Sequence, residues 1–123
     1  MPNRSKQKGD RWERECRDIL ELQGYFVTKA GGSLGMFDLI AIGNGETRCI
    51  QCRCNNWFKG KQERYEMKQF AIENPQVIVE VWRKDDRKPA PRIKWFSDVW
   101  RDSGILAEEA QLARARLRRE NHG

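Results

Sequence analysis

Ala30-Gly-Gly-Ser-Leu-Gly-Met-Phe-Asp-Leu-Ile-Ala-Ile-Gly-Asn-Gly-Glu-Thr-Arg-Cys-Ile-Gln-Cys-Arg-Cys54 is the stretch whose reading decides the fold. It begins as a loop with three glycines over 30–35. Phe37–Ile42 then reads as a strand, Gly43-Asn-Gly45 as a tight hairpin turn, and Thr47–Cys54 as the answering strand. Asp38 stands at the opening of the first strand, and Gln51 and Arg53 stand two apart on the second.

Working outward, the N-terminal side predicts a helix. Asp10 is placed to cap it, and Trp12, Cys16, Ile19, Leu20 and Gln23 recur at helical spacing before Gly24 ends it. Tyr25–Lys29 is a short strand. On the other side, 55–60 is a loop carrying Trp57 and Lys59. Lys61–Glu73 is a helix with Tyr65, Met67, Phe70 and Ala71 as inward groups, stopped by Pro75. Val77–Trp82 is almost continuously apolar, as a central strand covered on both faces would be. A charged turn spans 83–91, and Arg92–Phe96 is a strand that Pro91 places at an edge. Residues 97–102 read as a short helical turn and 105–120 as a last helix. That helix has a thin apolar stripe (Leu106, Ala110, Ala113, Leu117) and a basic end (Arg114, Arg116, Arg118, Arg119). The pattern predicts an α/β domain with a mixed five-stranded sheet flanked by helices. Its divisions are a flexible basic N-terminus (1–8), a globular domain (9–103) and a C-terminal basic helix (104–123).

At 123 residues the chain has room for one core. Twenty-four Lys and Arg against 18 Asp and Glu give +6 and an isoelectric point near 9.4, a balance that favours a polyanionic partner, most often nucleic acid. No apolar run is long enough to cross a bilayer and no secretory pattern opens the chain, so an intracellular protein of the cytoplasm or nucleoid with no membrane partner is expected. Five Trp are many for this length; some must be core, and exposed ones suit stacking or an interface. Cys49, Cys52 and Cys54 have spacing that invites a zinc reading. Alternation along a strand opposes it, because Cys49 then faces one way and Cys52 and Cys54 the other. With Cys16 they are expected as reduced, buried thiols.

The same alternation gives Gln51 and Arg53 a common face and lets Asp38 converge on it. Hydrolysis of a phosphodiester uses a hard cation held by carboxylates and waters, with a basic group close by. An acidic residue at one strand end, followed by a hairpin and an alternating triplet, provides such a scaffold. Spacing alone equally allows Asp38 to cap a turn while Gln51 and Arg53 lie on a solvated face.

With its flanks, the pattern resembles a known family. Gly9-x-x-x-Glu13-Arg14 opens the first helix and Gly24-Tyr25 closes it. Gly32-Ser33-x-Gly35, Asp38-Leu-Ile-Ala41 and Ile50-Gln-Cys-Arg53 follow. Together, over about residues 7–97, these are similar to the archaeal-type Holliday junction resolvases of the PD-(D/E)xK nuclease superfamily, whose core is restriction-endonuclease-like. The resemblance implies a Mg2+- or Mn2+-dependent endonuclease, active as a homodimer on branched DNA with a four-way junction, with no small-molecule cofactor. It implies catalytic roles for Glu13, Ser33, Asp38, Gln51 and Arg53, and a metal set of Glu13, Asp38, Gln51 and Cys52. Three departures stand out. Gln51 holds the place of the Glu in Glu-x-Lys, Arg53 holds that of the Lys, and Phe37 that of the proline before the Asp. Gln51 still offers an oxygen but no charge, and Arg53 cannot release a proton near neutral pH. A weakly catalytic relative that binds branched DNA, or a nuclease of this fold acting on another DNA structure, therefore stands beside the resolvase reading. Lys6, Lys8, Arg11, Arg14, Lys29, Ser33, Lys59, Lys61 and Arg64 are the candidate DNA contacts, each with a solvated surface as the plain alternative.

Overall fold

The computed structural model describes residues 4–30, 35–88 and 91–103. Ser33 and the helix expected over 105–120 lie outside the described residues. The elements run α1 (Arg4–Leu22), β1 (Phe26–Lys29), β2 (Leu39–Gly43), β3 (Glu46–Cys54), α2 (Lys61–Glu73), β4 (Val77–Lys84), β5 (Arg92–Ser97) and β6 (Val99–Ser103). The strands form one mixed sheet in sequence order β1-β2-β3-β4-β5-β6. β3 and β4 are parallel and every other neighbouring pair is antiparallel. A parallel pair cannot be closed by a tight turn, and α2 makes the crossover between β3 and β4.

The hairpin is built by its turn. Asn44 and Gly45 both have positive φ (51° and 77°), the backbone of a two-residue turn that matches strand twist, and Gly43 pairs with Glu46 across it. Gly43 also lies against the α1–β1 corner. A Cβ there would stand 3.0 Å from the Gly24 carbonyl oxygen and 3.1 Å from Tyr25 Cα, so only glycine fits without displacement.

Each face of the sheet carries its own core. On one, α1 buries Trp12, Cys16, Ile19 and Leu20 against Leu39, Ala41, Ile50, Trp82 and Ile93. The Trp12 indole N–H donates to the Trp82 carbonyl at 3.1 Å, satisfying the one polar atom that ring takes inside. On the other, Met67 and Ala71 of α2 lie with Phe37, Cys49, Val79 and Val81. β4 is covered on both faces, as its apolar run predicts: Val79, Glu80, Val81 and Trp82 are all buried. The buried Glu80 takes a bidentate bond from Arg48 on β3, at 2.6 and 2.5 Å. The Arg48 guanidinium also lies 5.1 Å from the Tyr25 ring centroid and 5.5 Å from that of Trp82.

Four local expectations are corrected. The sheet has six strands and not five, because 99–103 is β6 and not a helical turn. Asp98 adopts φ 67°, which turns the chain so that Val99 pairs with Ser97, and the Trp100 ring then lies 5.4 Å from Phe96 and 5.0 Å from Phe58. β5 is consequently an interior strand, and Pro91 precedes it without placing it at an edge. α1 begins at Arg4 and not after Asp10, its first turns being rich in straight-chain helix formers. Tyr65 points out, 57% exposed, while Met67 and Ala71 point in.

Candidate active site

Asp38 sits just before β2 and is fastened to β3 on either side of Gln51. Its N–H donates to the Ile50 carbonyl at 2.9 Å, and its Oδ2 accepts the Cys52 N–H at 2.8 Å. Its own carbonyl accepts the Ala30 N–H at 3.0 Å, tying the return from the glycine loop to the same point. Burial pushes the Asp38 carboxyl above its ordinary value. The Cys52 bond and the Arg53 charge oppose that rise, Glu63 adds to it, and Lys29 opposes it.

Glu13 is on α1, at the border of its buried stripe. Burial raises its carboxyl, Lys29 opposes the rise, and the Asp38 charge reinforces it. Lys29 Nζ is 3.9 Å from Glu13 Oε1. The neighbouring candidate on the helix, Glu15, is engaged elsewhere, accepting from Lys84 Nζ at 2.9 Å. Glu13 thus feels the Asp38 charge.

Gln51 and Arg53 share the α2 side of the sheet with Cys49. Gln51 Oε1 is buried and has no hydrogen-bond partner among the described residues; the same holds for Arg53 Nε. The guanidinium NH2 of Arg53 is 3.6 Å from Glu63 Oε1. Cys52 meets the site through its backbone alone, since its thiol packs on the α1 side near Cys16. The strand thus separates Cys49 from Cys52 and Cys54, as alternation predicts.

Glu63 was not among the sequence candidates. It lies in the first turn of α2, where its Oε1 also accepts the Lys59 N–H at 3.2 Å. The signal was present in Gly60-Lys-Gln-Glu63, an acidic residue in the first turn of a helix that starts beside the Arg53 strand end.

An acceptor buried without a donor, as Gln51 Oε1 is, fits a site that receives a cation or a donor from outside the chain. Glu13, Asp38 and Gln51 offer hard oxygens, the donor type Mg2+ takes together with several waters. Among the described residues no three His, Cys, Asp or Glu side chains are grouped to hold a metal.

The other predicted DNA contacts are spread widely. Lys6, Arg11 and Arg14 are exposed on α1, and Lys59, Lys61 and Arg64 are exposed around the start of α2, with Arg64 5.9 Å from the Phe58 ring. Lys8 forms an ion pair with Asp86.

No protein-family model and no curated protein matches the sequence. Among solved structures the chain is similar to that of Archaeoglobus fulgidus Hjc, a Holliday junction resolvase from an archaeal hyperthermophile. The TM-score is 0.58 at 17% identity, covering 82% of this chain and 96% of that one. The domain therefore has a mixed α/β fold similar to that of the Hjc nuclease, here with six strands. No helix among the described residues is long and apolar enough to cross a membrane.

Proposed function

We propose that this protein is a structure-selective DNA endonuclease that resolves four-way junctions, with Glu13, Asp38 and Gln51 holding Mg2+ or Mn2+. The observation that carries the reading is Asp38. A half-buried carboxylate is clamped to the backbone of β3 beside the unpartnered Gln51 oxygen, its charge felt by Glu13, on a fold that a Holliday junction resolvase shares. A bound Mg2+ would supply Lewis acidity toward the phosphate and lower the pKa of a coordinated water. The chain's own residues supply the rest. The Cys52 N–H fixes Asp38 Oδ2 and does not use Oδ1. Arg53, always cationic, stabilises charge on the phosphate and takes no proton. Lys29 stands by both carboxylates and is the nearby amine able to orient a water. Two such sites related by a two-fold axis would nick a symmetric junction, which is the case for a homodimer. Phe26 and Ile42, paired across β1 and β2 and 71% and 50% exposed, are apolar surface suited to that contact.

A second reading is favoured by the same residues. Gln51 removes one negative charge and Arg53 is drawn to Glu63, so a relative that binds branched DNA and cuts weakly is the alternative. A gel assay with a four-way junction and an equal-length duplex, with and without Mg2+ or Mn2+, separates the two. Nicking of the junction alone supports the first reading, binding without nicking selects the second, and equal affinity for both DNAs sinks junction selectivity.

A further inference from the structure

Three cations converge on one ring on the α2 side of the sheet. Lys94 Nζ lies 4.8 Å from the Trp57 centroid, and the guanidinium carbons of Arg92 and Arg83 lie at 5.2 and 5.3 Å. Arg83 and Arg92 are directly paired between β4 and β5, and Arg53 and Arg83 between β3 and β4. Residues in register on neighbouring strands face the same way, so Arg53, Arg83 and Arg92 form a row across three strands. Lys94 lies in the adjoining row, in register with Val81 and through it with Gln51.

Trp57 holds these cations together, and carboxylates neutralise only part of the cluster. Asp85 accepts from Arg83 at 2.6 Å, and Arg83 also donates to the Asn55 carbonyl at 3.2 Å. Asp102 accepts from Arg92 at 2.8 Å, with both side chains over 40% exposed. An exposed pair of that kind is weak and exchanges readily for a better anion. Lys94 has no hydrogen-bond or ion-pair partner among the described residues.

We propose that Trp57, Arg83, Arg92 and Lys94 form a basket for a backbone phosphate of nucleic acid, flanking the Asp38–Gln51 site. Two strand spacings separate Gln51 from Lys94, about 10 Å. That is the axial rise of about three nucleotides along one strand of a duplex. The basket thus grips the strand a few nucleotides from the phosphate at Asp38. Guanidinium forks match phosphate oxygens, and Lys94 adds a point charge. The linear row, which begins at the site itself, is the shape of a polymer backbone and not of a free anion. The assignment rests on the nuclease reading for its direction, and on the cation cluster alone for its chemistry.

The test uses the full chain and fluorescently labelled four-way junction and duplex across a salt series. In Arg92→Gln/Lys94→Gln, the slope of log affinity against log salt should become shallower by about 1, the loss of one phosphate contact. Affinity at low salt should fall at least about fivefold, and Lys94→Arg should keep it. An unchanged slope in the double variant, with wild-type DNA binding intact, overturns the basket and leaves the nuclease reading standing. A shallower slope on duplex as well as junction supports the basket even where junction selectivity fails. A wild-type protein that binds neither DNA overturns both. The Trp57 indole N–H resonance reports the ligand directly: it should move with oligonucleotide and not with equal phosphate as the inorganic ion. Equal movement with inorganic phosphate would make this a free-anion site and overturn the backbone assignment. A double variant that melts lower but keeps its slope would make the cluster structural only and would likewise overturn the basket.

Discussion

Asp38 Oδ2 accepts the backbone N–H of Cys52 at 2.8 Å, so the carboxylate is fixed not to a side chain but to the strand that carries Gln51. Substitution of residue 51 or 53 leaves that bond in place. Position 51 can therefore be tuned from amide to acid without moving Asp38.

Asp38→Asn should abolish metal-dependent nicking and leave junction affinity within about twofold, since Asn Oδ1 can still accept from Cys52. It should also raise the melting temperature at pH 7. Burial holds the Asp38 carboxyl above its ordinary value, so its ionised form is disfavoured in the fold. Stability from such a group is complete below the unfolded value near 3.8 and is lost as pH rises through the folded one. The advantage of the Asn variant should hence shrink as pH falls toward 4, as thermal melts at several pH values would show. An advantage that grows on acidification contradicts a carboxyl raised by burial.

Gln51→Glu should increase nicking in Mg2+ by at least about tenfold, the effect of one charged ligand replacing a neutral one. Without metal it should lower the melting temperature, because a second carboxylate would stand beside the half-buried Asp38. Mg2+ should restore the loss. Melts with and without Mg2+, alongside single-turnover nicking, read both effects; insensitivity of the variant to Mg2+ removes Gln51 from the site.

Glu63→Gln releases Arg53 from its 3.6 Å partner. Junction affinity should rise by about two- to fivefold as the guanidinium becomes free for phosphate, and the Asp38 carboxyl should move toward its ordinary value as a nearby negative charge is lost. Competition binding and a carboxyl titration by NMR check the two parts. Weaker binding would mean that Glu63 positions Arg53 and does not restrain it.

Arg48→Met should destabilise the fold by roughly 3–5 kcal/mol, because it strands Glu80 as an unpaired charge inside the sheet. Pairing the change with Glu80→Leu should recover much of that loss. Denaturant unfolding of the two variants decides the point, and no recovery in the double variant would place the loss in the Tyr25 and Trp82 ring contacts instead.

The hairpin and the two helices were legible because their signals are local. Asn44-Gly45 dictates its turn, Pro75 its helix end, and 77–82 its doubly covered strand. β6 was not, since Ser97-Asp98 has the composition of a helix cap, and only the packing of Trp100 on Phe58 and Phe96 makes the segment a strand. Glu13, Asp38, Gln51 and Arg53 were legible as positions on a pattern. The Asp38 clamp, the Glu63 partner and the cations round Trp57 were not, because each depends on a register between segments far apart in sequence. Arg48 and Glu80 show the same limit: two ordinary charges whose mutual burial only the parallel pairing of β3 and β4 creates.

That parallel pairing sets an order of assembly. The β2–β3 hairpin closes through a two-residue turn, an event of microseconds, and it already contains Asp38, Gln51 and Arg53. Thr47 must find Val77 across the whole of α2 before Arg83, Arg92 and Lys94 can line up beside them. Such long-range closure is slow and entropically demanding. In the nascent protein, the hairpin that carries Asp38, Gln51 and Arg53 thus forms well before the surface proposed to guide DNA across it, and Glu13 joins it only when α1 docks.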